Sequence, residues 1–132
     1  MSDGVGQIFN DPTLSSLKLT LQASSARELA LASNIANVNT PGYKRIDLTS
    51  SFQSDLSNAL KSLDSGTTLG SAPKPAWDTA EMQNPARYDG NTVNLDQEVT
   101  EMMKNSSDHN FSSKILALKY SALKEAITGQ IT

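Results

Sequence analysis

The sequence predicts a mainly α-helical chain. Two long amphipathic helices, one near each end, are expected to pack as an elongated antiparallel hairpin or coiled coil. Apolar residues recur at steps of three and four near both ends, which is the period of an amphipathic helix. The stretch between them is rich in Gly, Ser and Pro, which disfavours regular structure. Aromatic residues make up only 5% of the chain and cysteine is absent, so Leu and Ala must supply most of the packing.

We expect residues 1–10 to be a flexible N-terminus and residues 11–38 to form the first helix. Asp11 can accept hydrogen bonds from the free amides of a first turn, and Pro12 suits the first helical position because its missing donor would be unpaired there. Ser24 and Glu28 interrupt an otherwise apolar stripe. The stripe consists of Leu14, Leu17, Leu21, Leu31, Ile35 and Val38.

The helical pattern stops abruptly, and residues 39–46 are predicted to form a turn. Asn37 and Asn39 tolerate the conformations that end helices. Thr40 precedes a proline and is therefore disfavoured in the helical region. Pro41 and Gly42 suit the two central positions of a type II turn. An ordinary helix stop explains Pro41 and Gly42 well. It explains less well the polar cluster and the residues that follow it, which are Asn34, Asn37, Asn39, Tyr43, Lys44 and Arg45.

A short helix over residues 47–63 and an extended segment over residues 64–93 are expected next. Asp47 could cap the short helix, and its apolar residues at helical spacing are Leu48, Phe52, Leu56, Leu60 and Leu63. The segment that follows contains the run SGTTLGSAPKPAWD and two further turn signals, Asn84-Pro85 and Asp89-Gly90. No strand is predicted in it.

Residues 94–131 are predicted to form one long helix. Asn94 can cap it, with Gln97 reaching back to the cap in a variant of the capping box. Asp96, Glu98 and Glu101 are interpreted as a solvated helix start that complements the helix dipole. One heptad pattern continues without interruption. Its seam positions are Leu95, Val99, Met102, Ser106, His109, Ser113, Leu116, Tyr120, Leu123 and Ile127.

The length of this helix argues for a partner. About 35 helical residues span roughly 50 Å, whereas a compact globule of this chain length has a diameter of about 35 Å. Phe111, Ile115 and Leu118 lie off the seam and would face outward, where other chains could cover them. A small monomeric helical protein with an internal core is the alternative.

Composition argues against several functional classes. A net charge of −3 gives no basic surface for nucleic acid, and no segment is apolar enough to span a membrane. His109 is the only histidine and cysteine is absent, so neither a metal site nor a catalytic triad is expected. We expect no enzyme, no cofactor and no small-molecule substrate. The start of the chain lacks the features of a cleaved secretory signal.

Two stretches carry a resemblance to a known family. ASNIANVNTPGYKR, residues 32–45, resembles the N-terminal signature of the bacterial flagellar axial proteins, which build the rod and hook. DGNTVNLDQEVTEMMKN, residues 89–105, is similar to the C-terminal region of the small proximal rod members. Residues 65–82 resemble nothing in the family.

The resemblance implies a structural subunit of the proximal rod in the basal body, on the periplasmic side and next to the membrane ring and export gate. Such a protein serves motility, leaves the cytoplasm through the flagellar type III export channel without a cleaved signal, and assembles with copies of itself and other rod proteins. The alternative is a cytosolic coiled-coil adaptor or a module like a secretion chaperone. The subunit-interface residues then expected are Leu17, Leu21, Leu31, Asn34, Ile35, Asn37, Asn39, Tyr43, Val99, Met102, Phe111, Leu116, Tyr120, Leu123 and Ile127, beside the turn residues Thr40, Pro41 and Gly42.

Overall fold

A computed structural model describes residues 11–80 and 85–129. The elements in chain order are helix α1 (Pro12–Ala36), strand β1 (Ile46–Leu48), helix α2 (Ser50–Asp64), strand β2 (Trp77–Thr79) and helix α3 (Leu95–Thr128). The prediction of a mainly helical chain is confirmed. The expected flexible residues 1–10 lie outside the described residues, as do residues 81–84 and the end of the chain from residue 130.

The three helices begin at capping side chains. Asp11 accepts a hydrogen bond from the Thr13 amide at 2.9 Å, and Asn94 accepts one from the Gln97 amide at 3.3 Å. The expectation that Asp47 caps the second helix is wrong, since Thr49 accepts from the Phe52 amide at 3.1 Å. Asp47 instead lies in β1 with its carboxylate turned toward arginine side chains.

A two-stranded antiparallel sheet pairs β1 with β2. The sequence analysis did not predict it. Residues 46–48 pair with residues 77–79, so that Ile46 lies opposite Thr79. The Trp77 indole also donates a hydrogen bond to the Ala26 carbonyl at 2.9 Å, which fixes β2 against α1. The segment over residues 64–93, which was predicted to be an extended loop, therefore contains a strand that contacts β1 and α1.

Helix α1 lies between the other two helices. One side of it packs against α2 through two apolar clusters, formed by Ala23, Ala26, Leu48, Phe52 and Leu56, and by Leu19, Leu56, Ala59, Leu60, Leu63 and Leu69. Its contacts with α3 run in opposite order along the two helices. Asp11 contacts Lys119, Ser24 contacts Asn105, and Asn34 contacts Glu98.

The face of α3 that packs against the rest of the chain agrees with the predicted heptad seam at every second position only. At the other positions the buried residue comes one place earlier in the sequence than predicted. Met102, His109, Leu116 and Leu123 are at least partly buried, as predicted. The alternate positions are Glu98, Asn105 and Ser112, all buried, whereas the predicted Val99, Ser113 and Tyr120 are exposed. The helix is thus rotated so that small and polar residues face α1.

Candidate functional site

The end of α1 and the following turn form the first half of the candidate site. The Asn37 side chain donates to the Ser33 carbonyl at 2.8 Å, which satisfies a carbonyl left open at the helix end. The Tyr43 amide donates to the Thr40 carbonyl at 3.3 Å across Pro41-Gly42, and Gly42 has φ +73°. This is the geometry of a type II turn, in which the third residue needs a positive φ.

The loop before α3, residues 85–94, forms the second half and binds directly to the turn. Asn91 is fully buried, and its side-chain amide donates to the carbonyls of Asn37, Val38 and Thr40 at 2.8–3.1 Å. Its side-chain oxygen accepts from the Val93 amide at 2.7 Å. Asn91 thereby satisfies the carbonyls that an abrupt helix end leaves without partners.

Backbone hydrogen bonds hold the same two segments together. The Gly42 amide donates to the Asp89 carbonyl at 2.9 Å, and the Thr92 amide donates to the Tyr43 carbonyl at 3.0 Å. The Arg45 amide donates to the Thr92 hydroxyl at 2.8 Å. The two stretches that carry the family resemblance are therefore bonding partners within one chain.

A charge network, formed by Arg27, Arg45, Asp47, Glu98 and Glu101, lies next to the turn. Arg45, Asp47 and Glu98 are buried in it, and Arg27 and Glu101 are half-buried. Glu98 is fully buried and accepts from Arg45 Nε and, at 3.1 Å, from Asn34 Nδ2. Arg45 also pairs with Asp47 at 3.0 Å. Arg27 forms two hydrogen bonds to Asp47 and one to Glu101, each at 3.1 Å. The network joins α1, β1 and α3.

The network lowers the pKa of two of its carboxylates, Asp47 and Glu101. Burial opposes ionisation of Asp47, but hydrogen bonds from the Arg27 guanidinium and the Leu48 amide outweigh it and hold the pKa of Asp47 below its usual value. Arg27 likewise holds the pKa of Glu101 low against a desolvation effect. Asp47 and Glu101 stay ionised in the fold, because charges removed from water are tolerated when they are paired.

The interpretation of Glu98 as a solvated carboxylate at the helix start is wrong. Its side chain has no exposed surface and faces Arg45, not water. Sequence reasoning also missed Asn91 and Asp47 as organising residues. A usable signal was the seven-residue spacing of Glu98, Asn105 and Ser112, since positions seven apart share one face of a helix in a packed pair.

The predicted interface residues fall into three groups by exposure. Leu31 and Asn34 are fully buried inside the chain. The half-buried residues are Leu17, Leu21, Ile35, Asn37, Tyr43, Met102, Leu116 and Leu123. The exposed residues are Asn39, Thr40, Pro41, Gly42, Val99, Phe111, Tyr120 and Ile127.

The polar residues of the turn bond within the chain. The Tyr43 hydroxyl is 3.2 Å from Asn34 Oδ1 and 3.1 Å from the Ser33 hydroxyl. Asn34 itself accepts from the Ile46 amide at 2.9 Å and donates to the Ile46 carbonyl at 2.8 Å. Asn34 and Tyr43 therefore have partners in the chain's own fold, which the sequence reasoning had sought on adjacent subunits.

Few groups suited to catalysis come together. His109 Nδ1 lies 2.8 Å from the Ser24 hydroxyl between α1 and α3, and Ser24 also donates to the Leu21 carbonyl at 3.0 Å. Over the described residues, no group of three or more His, Asp or Glu side chains is placed to hold a metal ion. Among the helices described, none is long and apolar enough to cross a membrane.

Comparison with known proteins decides the family. The family model for the flagella basal body rod protein matches residues 20–44, which include most of α1 and the turn. The flagellar basal body rod protein FlgB of Aeromonas hydrophila is 32% identical over 118 residues, covering 83% of this chain and 88% of that protein. The chain belongs to the FlgB family of flagellar basal body rod proteins.

Other FlgB proteins match over similar spans. FlgB of Escherichia coli K12 is 32% identical, covering 84% of this chain and 81% of that protein, and FlgB of Bacillus subtilis is 27% identical, covering 89% and 94%. The FlgB family is structural and not enzymatic. This chain therefore has a structural role in the flagellar rod.

Proposed function

We propose that this chain is a self-assembling subunit of the proximal rod, the part of the axial drive shaft just above the membrane ring. The observation that carries the proposal is the set of large apolar side chains that α3 exposes. Its partners would be copies of itself and other rod proteins, with the membrane ring and export gate at the rod base. FlgB-family membership supports the rod assignment.

The subunit would have the shape of an elongated antiparallel hairpin. The contacts between α1 and α3 run in opposite order, and the 34 residues of α3 span about 51 Å. A compact globule of this length is about 35 Å across. A long hairpin of this kind presents a continuous helix surface to lateral neighbours.

Phe111 and Leu118 are the centre of the proposed lateral contact. They are 67% and 70% exposed and lie seven residues apart, so they share one face of α3. Covering each side chain would contribute about 1.5–3 kcal/mol. Helix α1 packs against the side of α3 that carries Glu98, Asn105 and Ser112, and the described residues leave Phe111 and Leu118 exposed to a neighbouring subunit.

The exposed tip of the turn offers a second contact. Asn39, Thr40 and Pro41 are exposed, although their backbone is held by the loop before α3. A rigid, exposed tip loses little conformational entropy when it binds a neighbour. We propose that it contacts the next subunit along the rod, on the periplasmic side of the membrane.

A charge placed in the lateral contact tests the proposal. Leu118→Asp should abolish swimming and leave basal bodies without a complete rod, since burying an unpaired carboxylate between subunits is strongly unfavourable. The matched control is Asn58→Asp, which adds the same charge at an exposed position of α2. Circular dichroism of both purified variants should match that of the wild type. Normal swimming by cells carrying Phe111→Asp and Leu118→Asp together would contradict the proposal.

A further inference from the structure

Helix α1 exposes one large apolar side chain, Leu29, on a side that is turned away from both α2 and α3. Leu29 is 68% exposed. Around the helix axis it lies about 60° from Ala26, which packs against α2, and about 140° from Ser24, which contacts α3. Along the axis it lies about 26 Å from Pro12, the first residue of α1. The exposure of Leu29 therefore belongs to the middle of the helix and not to its start.

An aromatic ring and two acids lie near Leu29. The Trp77 indole donates to the Ala26 carbonyl, three residues before Leu29, and the ring remains 45% exposed. Asp78 is exposed and Glu28 is half-buried. We call Leu29, Trp77, Asp78 and Glu28 the α1 patch. The α1 patch is apolar at its centre and acidic at its edge.

The lateral contact face of α3 has the opposite charge at its edge. Lys104 lies seven residues before Phe111, and Lys114 lies four residues before Leu118, so both lysines lie along the line of the two apolar side chains. Both lysines are exposed. Asp108 is the one acid between residues 104 and 118, which leaves this face with a net positive charge. The face is complementary to the α1 patch in both apolar character and charge.

A symmetric contact between two copies of the α3 face is less favourable. A two-fold axis midway between Phe111 and Leu118 would place Lys114 close to its own copy, and like charges repel. A two-fold contact also closes as a dimer, whereas a contact between two different surfaces continues into an open helical array. A self-assembling rod needs the second kind of contact.

We propose that Phe111 of one copy packs on Leu29 of the next copy, with Lys114 beside the acidic edge of the α1 patch. The partner of the lateral contact is then the outward side of α1 on a second copy of this chain. This inference deepens the proposed function and rests on it. It names the surface that covers the exposed face of α3.

The antiparallel register of α1 and α3 fixes how two such copies are displaced. Phe111 is level with Leu19 of its own chain, about 15 Å along the axis from Leu29. Two copies that point the same way must therefore be displaced by about 15 Å along the axis for Phe111 to reach Leu29. In this register Lys114 is level with Ala26 of the next copy, the residue that the Trp77 indole contacts. Repetition of the step gives a staggered, helical arrangement.

Cysteine pairs in assembled rods test the contact, since the natural sequence has no cysteine. In basal bodies treated with a mild oxidant, Leu29→Cys with Phe111→Cys should link chains into a ladder of dimers, trimers and longer species. A disulfide within one chain is excluded, because the two positions are about 15 Å apart along the axis and a disulfide needs Cα atoms within about 7 Å. The matched control pairs Leu29→Cys with Asn110→Cys, an exposed neighbour turned about 100° around α3. The control should give no ladder.

Two results would overturn this inference. One is an equal yield from both cysteine pairs, including no cross-link in either. The other is dimer formation by Phe111→Cys alone, which would identify a symmetric contact between α3 faces. In both cases, loss of swimming by Leu118→Asp cells would leave the proposed function standing.

A single substitution gives a measurement that needs no cross-link. Leu29→Asp should abolish swimming, because its carboxylate would be buried against Phe111 of the next copy without a partner. Circular dichroism of the purified variant should match that of the wild type. Asn58→Asp, at an exposed position of α2, should leave swimming unchanged. Normal swimming by Leu29→Asp cells beside non-swimming Leu118→Asp cells would overturn this inference and not the proposed function.

Discussion

At the scale of single residues, Glu98 is the most deeply buried charged side chain in the described chain. It has no exposed surface, and its two oxygens accept from Arg45 and Asn34. Removing one member of a buried ion pair leaves the other charge without a partner or water. The ion pair itself therefore adds little net stability. Removal of Glu98 is costly because it leaves the Arg45 guanidinium buried without a partner.

Glu98→Ala should lower the free energy of unfolding by about 3–5 kcal/mol, because the buried Arg45 guanidinium would lose its carboxylate partner. Urea unfolding followed by circular dichroism measures this change. Glu125→Ala removes a carboxylate from an exposed position of the same helix and should cost less than about 1 kcal/mol. A loss as small in Glu98→Ala as in this control would show that the pair is unimportant.

The role of Glu98 was not predictable from the local sequence. A carboxylate in the first turn of a helix is stabilised by the helix dipole in water, and the pattern alone cannot show that a cation is brought to it. Arg45 is 53 positions away in the chain. Asn91 was missed for the same reason, since the carbonyls that it satisfies belong to residues 37–40.

At the scale of elements, the turn and the loop before α3 depend on two glycines with positive φ. Gly42 has φ +73° and Gly90 has φ +81°. A Cβ atom built on Gly90 would lie 3.5 Å from the Gly42 Cα, whereas one built on Gly42 would meet nothing within 4 Å. Substitution at Gly42 therefore tests backbone conformation without a steric clash.

Gly42→Ala should destabilise the chain by about 1–2 kcal/mol, the cost of a left-handed conformation for a residue with a Cβ. Gly42→Asn should cost less, because Asn tolerates this region better. Gly70 has equally open surroundings without a positive φ, so Gly70→Ala should be neutral or slightly stabilising. Thermal unfolding measures all three. Equal melting temperatures for Gly42→Ala and Gly70→Ala would contradict the strain argument.

The helices were predictable as elements, whereas the strands were not. Apolar spacing and capping residues indicate helices locally, as at Asp11 and Asn94. The strands have three residues each and pair across about thirty positions, too short for a period to appear. The face of α3 was predicted correctly at Met102, His109, Leu116 and Leu123. At the alternate positions the prediction was wrong, because the fold buries the polar residues Glu98 and Asn105 beside the predicted ones.

At the scale of the whole molecule, the polar contact between α1 and α3 and the exposed apolar face of α3 lie at different places along the helix. One end of the α1–α3 contact is polar and is closed by the charge network. Farther along α3, Phe111 and Leu118 remain exposed. That other chains cover this face was predicted from helix length, and it stays a prediction. The internal bonding of the turn was not predicted, because it requires the loop before α3 to fold against it.

The charge network makes the stability of the whole molecule depend on pH. Burial opposes ionisation of Asp47 and Glu101, but the pKa of each is lowered in the folded chain by hydrogen bonds from Arg27, together with those from the Leu48 amide to Asp47 and from Lys104 to Glu101. As pH falls, the unfolded chain therefore binds protons first, near the ordinary values of about 3.9 and 4.3. The stabilisation is complete above these values and is lost as pH falls through the lower folded pKa values. Unfolding free energies measured from pH 7 to pH 3 should fall below about pH 5.

Asp47→Asn should reduce this pH dependence, because it removes a carboxylate that binds a proton more readily in the unfolded chain. Asp55→Asn alters an exposed carboxylate of α2 and should leave the dependence of the wild type unchanged. The slope of unfolding free energy against pH separates this effect from any constant loss of stability in the Asp47 variant. An unchanged slope in Asp47→Asn would show that the ion pairs of β1 do not control the acid response of the fold.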